Sequence, residues 1–259
     1  MLITMAVYDT AENNRSWMTH ATLTSLRRTV NWDRHRLMVS DNGSCEQTQA
    51  LYREPFGCMI TRLFRNGENL GTANALNLAW RHRFPGENVC KIDNDVVIHK
   101  EGWADLIEQA LEKAPWLGIC ALKRKDLAEW PLARESFYRS KLVPLPHEPG
   151  EFWFILEKVQ HCMGTCQAFR SQLLDKIGYL YQPSLYGFDD SLAATRCRMA
   201  GYESAFLHGI EIDHIDPGNS EFTTWKAQEA GRRMAEFHRI RDEYRAGIRP
   251  IYYDGGFSE

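Results

Sequence analysis

Apolar positions along the chain fall into two alternating textures. Short, nearly unbroken apolar runs at residues 2–8, 36–40, 58–64, 89–92 and 117–122 have the length and make-up of buried strands. Between them, apolar residues recur at helical spacing. Trp17, Ala21, Leu23, Leu26 and Val30 mark one helix over 16–29, with Ser16 placed as its N-cap. Ala73, Leu76 and Trp80 mark another that runs to Phe84, and residues 46–52 and 102–114 mark two more. Strands that alternate with helices predict an α/β fold, a mostly parallel central sheet flanked by helices. Asp41-Asn42-Gly43-Ser44 closes the second strand as a tight turn, since Asn and Gly tolerate positive φ.

Beyond residue 123 the texture changes. Residues 123–151 carry Pro131, Pro144, Pro146 and Pro149 with Trp130, Phe137 and Tyr138, and their weak periodicity predicts a long loop over a site. Strands are expected at 152–157 and 162–169 and a short helix at 171–177. Tyr186-Gly187-Phe188-Asp189-Asp190 opens a further helix, stopped by Gly201. Two late strand pieces follow at 205–207 and 210–212. The last helix, 222–246, carries Trp225, Met234, Phe237, Ile240 and Tyr244 on one face, and the tail 247–259 reads as mobile.

Composition changes this picture little. The 259 residues are 44% apolar and 25% charged, ordinary for a soluble globular chain. A net charge of -3 gives no global basic field of the nucleic-acid-binding kind. Seven cysteines, an odd number without paired metal-type spacing, point to free thiols in a reducing compartment. The apolar start lacks a basic leader and no run approaches a membrane span, so a cytoplasmic protein without stable membrane insertion is expected.

The chemistry centres on Asp93-Asn94-Asp95. In an extended segment, residues two apart point the same way, so both carboxylates project to one side. Two adjacent carboxylates repel unless a proton or cation separates them. Carboxylates and water suit Mg²⁺ or Mn²⁺, which fill their other sites with substrate phosphate. Ligands of parallel sheets sit beyond the carboxyl ends of strands, and Asp9, Asp41, Asp93 and Asp95 all fall there. Each also has a plainer reading. Asp41 serves as a turn former; Asn74 and Asn77 satisfy backbone groups; Asp189 and Asp190 cap a helix. His208 and His214 are ordinary surface or core histidines. Asp213 and Asp216 are turn formers or neighbours that orient His214. Arg232, Arg233, Arg239 and Arg241 are a solvated helix face.

The order of these motifs resembles that of family-two glycosyltransferases with the GT-A (nucleotide-diphospho-sugar transferase-like) fold. The features are Asp41-Asn42-Gly43-Ser44, the stretch Asn69-Leu70-Gly71-Thr72-Ala73-Asn74-Ala75-Leu76-Asn77, Asp93-Asn94-Asp95, Gly187-Phe188-Asp189-Asp190 and His214. The resemblance implies a catalytic domain over 1–220, with a nucleotide-binding half (1–123) and an acceptor-binding half (124–220), followed by a C-terminal helix and tail (221–259). It implies nucleotide-sugar contacts from Tyr8, Asp9, Asp41, Asn69, Gly71, Asn77 and Asp93. Asp95, Asp93 and His214 would hold Mn²⁺ or Mg²⁺; Asp190 would be the general base with Asp189 its acceptor-binding neighbour. Trp130, Trp153 and Tyr186 are candidate acceptor platforms. The first strand ends Tyr8-Asp9-Thr10 where the family usually has Pro-x-Tyr-Asn, and the acidic pair is Asp-Asp where Glu-Asp is commoner, which leaves the base open between neighbours.

The expected activity is metal-dependent, inverting transfer of a sugar from a nucleoside diphosphate, UDP foremost, to the hydroxyl of a glycan, protein, metabolite or modified DNA base. Two rivals stand beside it. Asp93-Asn94-Asp95-Val96-Val97 also fits the Asp-x-Asp-x-Val signature of haloacid dehalogenase-like phosphatases, although their nucleophile lies on the first strand. A non-catalytic nucleotide-sugar-binding module is the other. A dinucleotide oxidoreductase is disfavoured by the lack of G-x-G-x-x-G after the first strand.

Overall fold

The computed structural model describes residues 1–129, 140–150, 152–218 and 221–256. Strands β1 (Leu2–Val7), β2 (Arg36–Asp41), β3 (Ile60–Arg65) and β4 (Val89–Ile92) alternate with helices α1 (Ser16–Thr29), α2 (Glu46–Leu51) and α3 (Thr72–Trp80). These four strands pair in parallel in the order β3-β2-β1-β4, with the apolar β1 and β4 buried and the mixed β3 half-exposed at the edge. Then come β5 (Val96–Ile98), α4 (Trp103–Lys113), β6 (Leu117–Arg124), β7 (Lys141–Pro144), β8 (Ile155–Val159) and β9 (Cys166–Phe169). The chain finishes with α5 (Ser171–Ile177), α6 (Asp189–Met199), β10 (Glu203–His214) and α7 (Glu221–Arg245).

The full strand order is β3-β2-β1-β4-β9-β6-β10-β8-β7, with β5 on β10. β9 enters antiparallel between β4 and β6, whereas β6 and β10 are parallel. Strand alternation splits the core into two layers. Ile3, Met5 and Val7 face α1 and α4 through Leu23, Leu26, Ile107 and Leu111. Leu2, Met38 and Val89 face Leu76, Trp80, Leu173 and Leu174 on the other side. Thr4, on that second face, accepts a hydrogen bond from the Trp80 indole at 2.9 Å, which satisfies both buried polar groups.

Several expectations are corrected here. The segment from Ile92 to Val97 does not stay extended: it turns at Asn94 and Asp95, and β5 joins β10 rather than prolonging β4. Ser16 does not cap α1. Its hydroxyl meets Thr48 Oγ1 at 2.6 Å, and Arg15 takes the cap position. α3 ends at Trp80, four residues before Phe84. Within 123–151, β7 pairs with β8 at the sheet edge, where Pro144 costs no ladder bond. The two late strand pieces are one strand, β10, with its register shifted between Phe206 and Glu211 around Gly209 at φ 82°. Met234 is largely exposed; Phe237, Ile240 and Tyr244 do the packing of α7, against Leu192 of α6.

The tail is docked, not loose. Tyr253 donates its N–H to the Ile177 carbonyl at 3.0 Å and accepts from Tyr179 N–H at 2.9 Å. Only glycine fits beneath it at 178, where a Cβ would lie 2.1 Å from the Tyr253 oxygen. Arg196, wholly buried on α6, donates to the carbonyls of Ile251 (2.7 Å), Tyr179 (2.8 Å) and Ile177. It thus ties α6 to both segments. Replacing it strands the Ile251 and Tyr179 carbonyls and leaves Ile177 with Tyr253 N–H alone, so Arg196→Met should destabilise the protein by about 2–3 kcal/mol. That is read as a lower urea midpoint at unchanged slope, with faster proteolysis of the tail.

Candidate active site

A cavity of about 280 Å³ opens beyond the ends of β1 and β4 and beneath the starts of α6 and α7. The turn after β4 delivers Asp93 and Asp95 to it, while Asn94 faces inward and donates to Asp9 Oδ1 (2.8 Å) and Thr19 Oγ1 (2.7 Å). Arg15, leading into α1, grips Asp95 Oδ2 at 2.6 Å with one nitrogen and Asp216 Oδ2 at 2.7 Å with the other. His214 Nε2, at the end of β10, lies 3.5 Å from Asp95 Oδ2. The other oxygen of Asp95, Oδ1, is buried without a hydrogen-bond partner. Burial alone would raise the Asp95 pKa, but His214 and Arg15 overrule it and hold the carboxyl well below the usual range. Asp93 is treated differently. Burial, with the charges of Asp95 and Asp189, pushes it up to about 6 against the pull of Lys91, and its carboxylate has no hydrogen-bond partner among the described residues.

The second group of acids sits at the start of α6. Phe188 precedes it in the left-handed region, φ 68°, a costly conformation for an aromatic residue. Its ring is stacked on Phe237 of α7 at 4.4 Å, which fixes the strained entry. Asp189 pairs with Lys91, a lysine buried in the middle of β4. Burial alone would lower the Lys91 pKa; Asp189, Asp93 and Asp190 keep it raised instead. Asp190 accepts from Gly164 N–H (3.0 Å) and Ser191 N–H (2.6 Å), and its Oδ2 lies 3.2 Å from His161 Nε2. Against the burial penalty, His161 holds the Asp190 pKa well below normal. A Cβ at Gly164 would stand 2.7 Å from Lys91 Nζ and 3.2 Å from Asp190 Cβ, so a side chain there has to displace the lysine ammonium.

The profile of glycosyl transferase family 2 matches residues 13–178, well over half of the chain. The chain belongs to glycosyl transferase family 2. Its fold is the GT-A fold, shared with a mannosyltransferase from Pyrobaculum calidifontis in complex with GDP-Man and Mn²⁺ (TM-score 0.64, 20% identity, 88% of this chain and 60% of that one). It is similar also to S. aureus TarS 1-349 in complex with UDP-GlcNAc (0.60, 16%, 86% and 60%) and to GalNAc-T7 with UDP, GalNAc and Mn²⁺ (0.60, 12%, 83% and 44%). The chain thus spans about 60% or less of these longer proteins. A search of curated sequences finds no match. Membership of this family argues against the phosphatase reading.

In this family member the cavity gathers Tyr8, Asn69, Asp93, Asp95, Tyr186, Asp189, Asp190 and His214 in its walls. Other expected residues turn elsewhere. Asp9 is sequestered by Thr19 (2.5 Å), Thr48 (3.0 Å) and Asn94, and lies outside the cavity walls. Asp41 Oδ1 accepts from Ser44 N–H at 2.6 Å, the turn-forming role. Asn77 is a clamp, since its amide both donates to and accepts from the Leu180 backbone at 2.9 Å. Gly71 gives room to Leu185, whose backbone would meet a Cβ at 2.9 Å. Trp153 is exposed on the β7–β8 side, stacked on His147, and Trp130 lies outside the described residues.

Arg15, Lys91, His161, Gly164 and Lys226 belong to the site but escape a sequence reading. Lys91 alone left a signal: a lysine inside an apolar strand must meet an acid there. Among the described residues no group of three or more His, Cys, Asp or Glu side chains stands converged for a metal. Asp95 Oδ1, buried and unpartnered beside Asp93 and His214, nonetheless has the chemistry of a cation ligand.

The His161–Asp190 pair makes a pH-dependent link. Burial lowers the pKa of His161, but Asp190 outweighs it and raises the group. The stabilisation is present below the unfolded histidine pKa and fades as pH rises through the raised one; on the acid side it is lost as pH falls through the depressed Asp190 value. In Asp190→Asn the burial penalty prevails, so the His161 ring should titrate at lower pH than in the wild type. Proton–carbon NMR of the ring reads this directly, and an unmoved midpoint refutes the coupling.

Proposed function

We propose that this family member is a glycosyltransferase that moves a sugar from a nucleoside diphosphate, UDP in the first instance, to an acceptor hydroxyl with inversion, assisted by a divalent cation. One observation carries the reading. The carboxylates suited to a cation, Asp93 and Asp95 with its unpartnered Oδ1, and the carboxylate suited to a base, Asp190, line the same cavity. Asp95, Asp93 and His214 are the residues that would hold Mn²⁺ or Mg²⁺. When bound, such an ion supplies Lewis-acid stabilisation of the departing diphosphate.

The remaining steps belong to the chain. Asn69 and Tyr8 border the donor end of the cavity. Asp190, kept ionised by His161, two backbone N–H groups and the positive end of α6, accepts the proton of the acceptor hydroxyl. Asp189 is engaged by Lys91, so Asp190 is the base of the pair and Asp189 positions the helix start. Attack from that side, opposite the departing diphosphate, inverts the anomeric carbon. Tyr186, backed by Trp225 at 6.2 Å, offers an aromatic wall for the acceptor. Arg233 and Arg239 of α7 are paired with Glu229, Glu236 and Glu243, which favours a glycan, protein or small-molecule acceptor over a modified DNA base.

The test is a thermal-shift screen of UDP, GDP and other nucleoside diphosphates with and without Mn²⁺. At a hundredfold excess over Kd the cognate nucleotide should add about 2.7 kcal/mol, or about 5 °C or more. Asp95→Asn, which keeps an acceptor for Arg15, should lose the Mn²⁺-dependent part of the shift. Asp190→Asn should keep it and lose transfer by at least about a hundredfold. Equal loss of binding in both variants would defeat the assignment of roles.

A further inference from the structure

The C-terminal helix reaches the cavity through Trp225 and Lys226, beyond the segment that the family profile matches. Lys226 Nζ lies 3.3 Å from Asp216 Oδ2 and 5.4 Å from the centre of the Tyr186 ring, and its charge acts on Asp93, Asp95 and Asp216 alike. Asp216 is shared. Arg15 already holds the same oxygen at 2.7 Å while its other nitrogen holds Asp95 at 2.6 Å, so the guanidinium is locked between two carboxylates. Lys226 therefore has the longer, weaker claim on Asp216, on a four-carbon stem that can turn. The cavity wall sets Arg15, Lys91, Arg124 and Lys226 against Asp93, Asp95, Asp189 and Asp190; Arg15, Lys91 and Arg124 are each paired closely with an aspartate, so an entering diphosphate needs a cation that can turn to it.

We propose that Lys226 is a phosphate-binding residue of the donor site: its ammonium leaves Asp216 for the diphosphate, and Arg15 remains behind to neutralise Asp216 and Asp95. The proposal rests on the nucleoside-diphosphate reading above and adds to it a residue from outside the matched segment. Its consequence is that part of the diphosphate affinity comes from the protein itself, independent of any divalent ion.

Isothermal titration with the nucleoside diphosphate that stabilises the wild type most, and with its parent nucleoside, tests this in Mn²⁺ and in EDTA. Lys226→Met should weaken the diphosphate by about tenfold or more in both media, the loss of one charge-assisted contact, and leave the nucleoside within about twofold. Lys226→Arg should restore most of the loss. Unchanged diphosphate affinity in Lys226→Met overturns the proposal. So does an equal loss for nucleoside and diphosphate, which marks Lys226 as a packing residue. If no nucleoside diphosphate binds the wild type, the donor reading fails first and the role of Lys226 falls with it.

Discussion

Five aspartates, at positions 93, 95, 189, 190 and 216, stand in or beside one cavity, and their repulsion has to be cancelled before the fold can close around it. The protein does so with a cation placed against each acid in turn. Arg15 spans Asp95 and Asp216, Lys91 takes Asp189, and His161 takes Asp190. Buried pairs of this kind contribute little net stability, because desolvation offsets most of the attraction. Here their effect is to specify orientation. Asp93 is the exception, with no hydrogen-bond partner among the described residues and a pKa raised to about 6. The uncancelled charge of the site is thus concentrated at one carboxylate, where a bound cation has the most to gain.

The sheet topology makes this arrangement possible. Because β9 is wedged antiparallel between β4 and β6, the loop before it returns to the carboxyl end of β4. From there Thr165 accepts the Asp93 N–H at 2.9 Å while Gly164 donates to Asp190 at 3.0 Å. Two adjacent loop residues thereby tie the turn that carries Asp93 to the helix that starts with Asp189 and Asp190. The glycine at 164 and the strained Phe188 are costs of the same closure, accepted where the chemistry is and offset by the Phe188–Phe237 stack.

Much of this was legible from residue order. Alternating apolar runs specify β1 to β4 with their helices, since a strand buried on both faces leaves little choice of residue. Asp93 and Asp95 could be nominated because carboxylates beside apolar strand ends are expensive without a ligand, whereas Asp190 and His214 follow from the resemblance of the motif order to a family. Asp9, Asp41 and Asn77 occupy the expected strand ends and helix, but periodicity does not say which way a polar side chain turns. Their partners, Thr48, Ser44 and Leu180, are set by tertiary packing. Lys226 and His161 were invisible for a related reason. Neither lies near the acids in sequence, and only the packing of α7 and the reversal of β9 bring them there.

The Arg15–Asp95 contact has a further effect on how the acid can serve a cation. A carboxylate free to rotate presents both oxygens and pays in entropy to fix either one. With Oδ2 committed to Arg15 at 2.6 Å, the Asp95 group is held in one rotamer, and Oδ1 is the oxygen left without a partner. An orphaned buried acceptor costs about 1–3 kcal/mol, an expense removed when a ligand arrives. Arg15 therefore keeps Asp95 ionised and fixes its rotamer, leaving Oδ1 as the oxygen open to a cation under the proposed function.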